Sequence, residues 1–231
     1  MRQRVTVLGL CVALLFAANA AAAPVTILSY DISATPPTGF GDWQHVYTGT
    51  MTPIGGGNLA YSDGSGTLND GVIGTSELVT HLLRNALTPV ITLHLDGVFT
   101  INTINLFGGT FENAIPGQIT GVSVSVGGPA VAFATSSFGA DFGFGPVNDM
   151  VTGLPSVATS TIVLSAWTGT FFDDPTEGPL FSLTEIMVDG TPSSIVGVPE
   201  PSLLVGLGTA LVVFVGLVRW RAVQRRTARR T

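Results

Sequence analysis

The chain has 231 residues and a formal net charge of −6, with 29 glycines, no lysine and one cysteine. Its charge is uneven, because residues 24–198 hold fourteen carboxylates and one cation, Arg84, for a formal charge of −13. This negative excess argues against nucleic-acid binding, which needs cations to neutralise phosphate, and it favours attraction of divalent cations. Abundant glycine without lysine indicates many short strands joined by tight turns.

The first 23 residues have the pattern of a secretory signal peptide. Arg2 and Arg4 precede an apolar run over residues 5–16, and residues 17–23 are rich in alanine. This order predicts export, with cleavage among residues 20–23. Cys11 leaves with the signal peptide, so we expect no disulfide, thiolate nucleophile or thiolate metal site in the mature chain.

The next stretch mixes short strands with one predicted helix. Residues 25–30 and 46–51 are predicted strands, separated by a proline-containing loop over 34–40, and residues 61–74 are rich in turn formers. Residues 76–87 are the one helical candidate. Ser76 is a suitable N-cap, four apolar residues fall on one side, and Pro89 would stop the helix.

The rest of the domain reads almost entirely as strand. Residues 119–126 alternate strictly, which places Val122, Val124 and Val126 on one face and Ser123 and Ser125 on the other. Residues 138–148 are predicted loop. Further strands are predicted over residues 90–95, 98–107, 130–135, 159–167 and 180–188. About eight strands and one short helix predict an all-β fold over residues 24–190, a two-sheet β-sandwich of the jelly-roll kind, followed by a linker over 191–198.

The C-terminal segment has three parts in a fixed order. Pro199, Glu200 and Pro201 precede an uncharged run over residues 202–218, and six arginines follow within residues 219–231. An apolar helix over 202–220 is long enough to cross a bilayer, with Trp220 at headgroup depth and Arg219 and Arg221 beside it. The arginines should stay cytoplasmic, which places the domain outside.

This three-part segment, residues 199–231, resembles the PEP-CTERM sorting signal of Gram-negative bacteria. The resemblance implies recognition by an exosortase, cleavage near the motif, and transfer from the inner membrane to the cell surface or extracellular matrix. Hosts of this system usually make exopolysaccharide, which is a possible partner. The alternative is a single-pass anchor that is never processed.

Four segments of the domain resemble galactose-binding-like, discoidin-type jelly rolls. They are LNDG at 68–71, VITLHLDGVFTINTINLFGG at 90–109, VSVSVGG at 122–128 and FSLTEIMVDG at 181–190. The resemblance implies a structural calcium ion held by Asp70, by a carbonyl or hydroxyl between residue 71 and Thr75, and by Glu185. The alternative is that residues 69–71 form only a tight turn.

Three tyrosine or tryptophan side chains are candidates for sugar binding. Trp43, Tyr47 and Tyr61 lie in polar regions and are suited to stack on a sugar ring, or else to cover the core. The sequence therefore predicts a non-catalytic surface or matrix protein sorted by exosortase, and the alternative is a carbohydrate-binding module.

Metal binding by histidine and catalysis have little support. His45, His81 and His94 fit no metal template, and we expect each in a loop or at the surface. Asp173, Asp174 and Glu177 lie in one loop, whereas glycosidases need two carboxyls opposed across a sugar. We therefore expect no catalytic residues.

Overall fold

The computed structural model describes residues 22–39, 43–109, 117–134, 146–169 and 180–193. Residues 1–21 of the predicted signal peptide, with Cys11, therefore lie outside the described residues. So do the loop with Asp173, Asp174 and Glu177 and the sorting segment with its flanking arginines. Within those ranges, no helix is long and apolar enough to span a bilayer.

The described residues form an antiparallel all-β structure. Its strands are β1 (Ala23–Val25), β2 (Ile27–Thr35), β3 (Thr50–Gly55), β4 (Asn58–Gly64), β5 (His81–Arg84), β6 (Ile91–Gly108), β7 (Ile119–Ser125), β8 (Val131–Ala134), β9 (Val147–Val151), β10 (Ala158–Gly169) and β11 (Leu180–Pro192). Two single 3₁₀ turns, Glu77–Val79 and Asn85–Leu87, flank β5.

The 18-residue strand β6 connects the two parts of the sandwich. Its first half lies in the order β3-β4-β2-β6-β10-β7-β8, and its second half pairs with β11 and β9, while β11 also pairs with β1 and β5. Pairing with β2 reaches Leu95, and pairing with β11 begins at Phe99. Gly97, expected to separate two strands, therefore lies where one strand changes partners.

One apolar core lies between these parts. It joins side chains from both halves of β6 to side chains from β2, β7, β10 and β11. Val122, Val124 and Val126 are buried as predicted, while Ser123 and Ser125 remain partly exposed on the other face. The predicted all-β sandwich is confirmed.

The predicted helix over residues 76–87 is wrong. Residues 81–84 form β5, which pairs with β11 from Leu183 to Leu180, and Ser76 makes no side-chain cap hydrogen bond. Leu83 lies in the main core, whereas Leu82 packs with Trp43 and Leu180 in a second small cluster. Both faces of β5 are covered, so the adjacent Leu82 and Leu83 are both buried. Adjacent apolar residues fit the pattern of an amphipathic helix better than the alternation of a strand, and the sequence therefore predicted a helix.

Other boundaries also differ from the sequence prediction. The strand expected over 46–51 is the later β3, and β9 occupies the end of the loop expected over 138–148. The turn-rich stretch begins only after β4, which contains Tyr61. These shifts move strand ends without changing the fold class.

Candidate functional site

Two groups of polar side chains, each with buried members, lie in the sandwich. We call Asp70 and Glu185 the carboxylate pair. We call Tyr30, His45, Tyr47, Tyr61 and His81 the tyrosine–histidine cluster. The two groups differ in charge, in hydrogen bonding and in the kind of ligand that each can accept.

The loop over residues 66–75, here the Asp-Gly loop, carries Asp70. Asn69 Oδ1 accepts a hydrogen bond from Gly66 N at 2.8 Å, and Asn69 Nδ2 donates to Ile27 O at 2.9 Å. Asp70 Oδ1 accepts from Val72 N at 2.8 Å. Gly71 has φ of +79°, which glycine adopts readily. The Asn-Asp-Gly sequence therefore builds a tight turn that is tied to β2.

Glu185 anchors this loop to β11. Its side chain is 2% exposed, and its Oε2 accepts a hydrogen bond from Gly71 N at 2.9 Å. Burial, together with the charge and contact of Asp70, raises the pKa of Glu185 to about 7, while the bond from Gly71 opposes this rise. Near neutral pH the Glu185 carboxyl is therefore close to the midpoint of its titration.

The carboxylate pair is the part of the proposed calcium ligand set that the fold brings together. Thr75 is exposed and makes no hydrogen bond to either carboxylate. In the described part of the chain, no three His, Cys, Asp or Glu side chains converge on one point. A cation here would need carbonyl, hydroxyl or water oxygens besides the two carboxylates, which is a donor set that suits calcium.

A cleft of roughly 270 Å³ runs along β11 beside the Asp-Gly loop, and we call it the β11 cleft. Asp189 accepts a hydrogen bond from Thr103 Oγ1 at 3.0 Å, and Asn105 Oδ1 accepts one from Asn148 Nδ2 at 3.2 Å. These bonds hold amide and carboxylate groups beside apolar surface. The lining residues are Pro24 to Ile27, Asn69, Gly71, Asn105 and Glu185 to Asp189.

None of the three aromatic residues proposed for sugar stacking lines this cleft. Trp43 and Tyr61 are only 7% and 2% exposed, so they have no open ring face. Tyr47 stacks on Tyr61 with ring centroids 4.5 Å apart, and its hydroxyl donates to Tyr30 O at 2.8 Å. In the described structure these rings cover the core, which was the alternative interpretation.

The prediction of a loop or surface position is wrong for His81, which lies in β5, whereas His45 does lie in a loop. His45 and His81 are buried, and their rings stack with centroids 3.6 Å apart at 21°. His94 does lie at the surface, where its Nε2 is 2.8 Å from Asp31 Oδ2. Burial of the first two follows from chain path, because residues 43–48 fold across the end of β5.

Hydrogen bonds connect the stacked histidines to tyrosines. His45 Nε2 lies 2.6 Å from the hydroxyl of Tyr61, and His81 Nε2 lies 3.2 Å from the hydroxyl of Tyr30. Burial lowers the pKa of His45 to about 4 and that of His81 well below its ordinary value, the latter with help from His45. Burial also raises the pKa of Tyr61 to about 12. Every member of the cluster is therefore uncharged at neutral pH.

Sequence reasoning missed this cluster because its members come from separate elements. The only signal was compositional, since all three tyrosines and two of three histidines fall between residues 30 and 81. No spacing rule predicts that residues 51 positions apart, such as Tyr30 and His81, will meet.

Searches of protein-family models and of curated proteins give no match. Among solved structures, a truncated AlyQ with family 32 carbohydrate-binding and alginate lyase domains matches with 12% identity, over 79% of this chain and 37% of that one, at a TM-score of 0.42.

Two further matches are single carbohydrate-binding modules. The family 32 module of Clostridium perfringens NanJ, in complex with galactose, is 18% identical over 62% of this chain and 93% of that one, at a TM-score of 0.37. Another family 32 module from Clostridium perfringens, CpGH89CBM32-5 in complex with GalNAc-β-1,3-galactose, is 19% identical over 63% of this chain and 93% of that one, at a TM-score of 0.36. These likenesses concern the overall fold.

Proposed function

We propose that the sandwich is a non-catalytic carbohydrate-binding domain of an exported surface protein, with the β11 cleft as its binding site. The observation that carries this proposal is the cleft itself, which combines apolar surface with fixed amide and carboxylate groups. Small-molecule sites are typically concave and mostly apolar, with a few placed polar groups.

The charge of the cleft favours a neutral sugar. Glu185 and Asp189 line it, and no arginine is among its lining residues. The domain around it has a formal charge of −13. A uronic acid or sulfated sugar would therefore be repelled, whereas hydroxyl groups can donate to the two carboxylates and bond to the Asn105 amide.

A pair of methionine substitutions tests the site. Met187 lines the cleft, whereas Met51 is 45% exposed on the distant strand β3. Binding of galactose, N-acetylgalactosamine and a neutral exopolysaccharide of the host would be measured by calorimetry. Met187→Arg should weaken binding at least about tenfold by filling the cleft, and Met51→Arg should leave it unchanged. Equal binding by both variants, or no binding by folded wild-type protein, would overturn the proposal.

Calcium at the carboxylate pair is a second part of the proposal. Neutralising two adjacent carboxylates would fix the Asp-Gly loop beside the cleft. Millimolar calcium should raise the melting temperature of the wild type but not that of Asp70→Asn. Asp63→Asn is the matched control, because asparagine tolerates the positive φ of 58° at that position. If wild-type protein shows no upward shift, calcium is not a ligand.

Sorting is a separate candidate function, supported by the sequence of residues 199–231. The proline-flanked Glu200, the apolar run and the arginine tail suit recognition by an exosortase at the outer face of the inner membrane. Replacing Glu200 with glutamine, or deleting residues 219–231, should trap unprocessed precursor in the membrane. Mass spectrometry of the mature C-terminus, with and without the exosortase, checks this, and an unchanged terminus in the variants would refute it.

A further inference from the structure

The tyrosine–histidine cluster contains an imidazole, that of His81, whose surroundings do not stabilise a positive charge. His81 is fully buried, and its Nδ1 has no hydrogen-bond partner in the described structure. A protonated imidazole has two N–H donors. Only Nε2 has a partner, the hydroxyl of Tyr30, so a charged ring would leave a buried donor unpaired.

The stacked geometry extends this restriction to His45. With ring centroids 3.6 Å apart, a charge on one ring opposes a charge on the other, and burial removes the water that would screen them. The pair is therefore stable in place only when both rings are neutral.

No carboxylate compensates a charge on either ring in the residues that the structure describes. The groups that face the pair are the hydroxyls of Tyr30 and Tyr61 and the two rings themselves. The negative charge of Asp70, in the Asp-Gly loop, acts electrostatically on the hydroxyl of Tyr30. Asp31 of β2 and Asp63 of β4 act in the same way on the hydroxyl of Tyr47. Asp31 is already paired with His94.

The segment that carries His45 is held by loop and side-chain hydrogen bonds rather than by a β-ladder. Residues 43–48 belong to no ladder beyond single bridge pairings such as Tyr47 with Gly66. Their backbone bonds run to the 3₁₀ turn before β5, through Gln44 N to Glu77 O at 2.9 Å and Thr80 N to Gln44 O at 2.8 Å. Others run to residues 65–67, the start of the Asp-Gly loop, through Thr67 N to Val46 O at 3.0 Å.

We propose that the stacked His45–His81 pair is an acid-sensitive latch, and that its protonation releases residues 43–48 from the sandwich together with residues 65–67. Each ring gains one proton from solvent as the segment opens, and no other bond is made or broken covalently. The β-ladders of β6, β7 and β10 need not open, because none of their hydrogen bonds involves this segment. The proposal stands apart from carbohydrate binding, since no ligand takes part in it.

The direction of the effect follows from linkage. The closed state holds its histidines neutral, whereas the open state binds protons below the ordinary histidine pKa, so opening becomes easier as the pH falls below about 6.5. With the pKa of His45 lowered to about 4, acidification from pH 7.5 to 5.0 should increase opening about 30-fold through this one residue. His81 adds to that factor.

Hydrogen exchange of the full chain, without ligand, tests the latch. Protection factors, corrected for intrinsic exchange, would be compared at pH 7.5 and 5.0. We expect at least a 30-fold loss of protection for residues 43–48 and 65–67 and little change in β7 and β10. His45→Gln and His81→Phe should each reduce this loss, and His94→Gln, the matched surface control, should keep it.

Two results would overturn the proposal. One is a wild-type protein whose residues 43–48 have the same protection at both pH values, which is decisive even if His81→Phe does not fold. The other is a loss of protection that is unchanged in His45→Gln. The same measurement in Glu185→Gln separates the latch from the carboxylate pair, because the loss should persist when only the carboxyl is removed.

Discussion

Glu185 of the carboxylate pair and the two histidines of the tyrosine–histidine cluster are buried, yet they respond to protons in opposite ways. Burial disfavours the charged form of any group, so it raises the pKa of Glu185 and lowers the pKa of His45 and His81. Glu185 is stabilised by gaining a proton. The stacked histidines are stabilised by staying without one. One physical cause thus makes Glu185 favour its protonated form and the histidines favour their unprotonated form.

The difference lies in what surrounds each group. Glu185 has a second carboxylate beside it and lies at the β11 cleft. The histidines have tyrosine hydroxyls and each other. Glu185 therefore lies beside a group of like charge, whereas the histidines lie among neutral groups.

The largest expected effect comes from removing the fully buried ring at the centre of the cluster. Tyr30→Ala leaves a cavity next to Tyr47 and His81 and should cost about 4 kcal/mol of unfolding free energy. Tyr47→Ala removes a partly exposed ring and should cost clearly less. Urea denaturation at pH 7.5 measures both, and equal losses would show that the cluster is not packed as described.

The opposite dependence of folding stability on pH in the two regions gives the sharpest test of the comparison. In calcium-free protein the stability from Glu185 is fully present below pH 4.5 and is lost as the pH rises through about 7. The stability from neutral His45 is present above pH 6.5 and is lost as the pH falls towards about 4. Each amounts to about 3 kcal/mol.

The two slopes partly cancel in the wild type, so variants are needed to separate them. Glu185→Gln should show falling stability below pH 6.5, and His45→Gln should show stability that falls mainly as the pH rises. Thermal melts from pH 4.5 to 8 in the presence of a chelator measure both. Parallel profiles in the two variants would contradict the opposite protonation preferences.

A smaller effect is expected from the anchor between Glu185 and the Asp-Gly loop. Glu185→Ala removes the acceptor of the Gly71 N–H and should cost about 2 kcal/mol at pH 5. Glu185→Gln keeps an acceptor oxygen and should cost less than half of that. Chemical denaturation at pH 5 checks the order, and an alanine variant as stable as the glutamine variant would mean that the bond contributes little.

The smallest effect is expected at the surface pair of Asp31 and His94. Their side chains are 32% and 39% exposed, and exposed ion pairs contribute about 0–1 kcal/mol. His94→Gln should therefore change the unfolding free energy by less than about 1 kcal/mol at any pH between 5 and 8. A larger change would show that the outer face of the sheet, and not the buried cluster, dominates the response to pH.

Much of the fold could be predicted from local pattern. The alternation at Val122 to Val126, the turn formers at residues 69–71 and the β-branched run of β10 each reflect the conformation of a few consecutive residues. The failures arose where both faces of an element are covered. At β5 the adjacent Leu82 and Leu83 pack into two different clusters, so no alternation was available to indicate a strand.

The site was predictable only in part. The resemblance to galactose-binding-like domains placed Asp70 and Glu185 together, and the fold does so through a bond from Gly71 N to Glu185 across 114 residues. The aromatic residues proposed for sugar stacking were identified by residue type and polar neighbours alone. Their burial depends on the path of residues 43–48, which no local pattern encodes.

The sequence by itself determined the all-β class, the negative charge of the domain and the tight Asp-Gly turn, because each depends on composition or on neighbouring residues. Only the tertiary structure decided that His45 stacks on His81 and that Glu185 is buried against Asp70. Such contacts depend on strand register and chain path, and burial there, rather than residue identity, sets which groups can carry a charge.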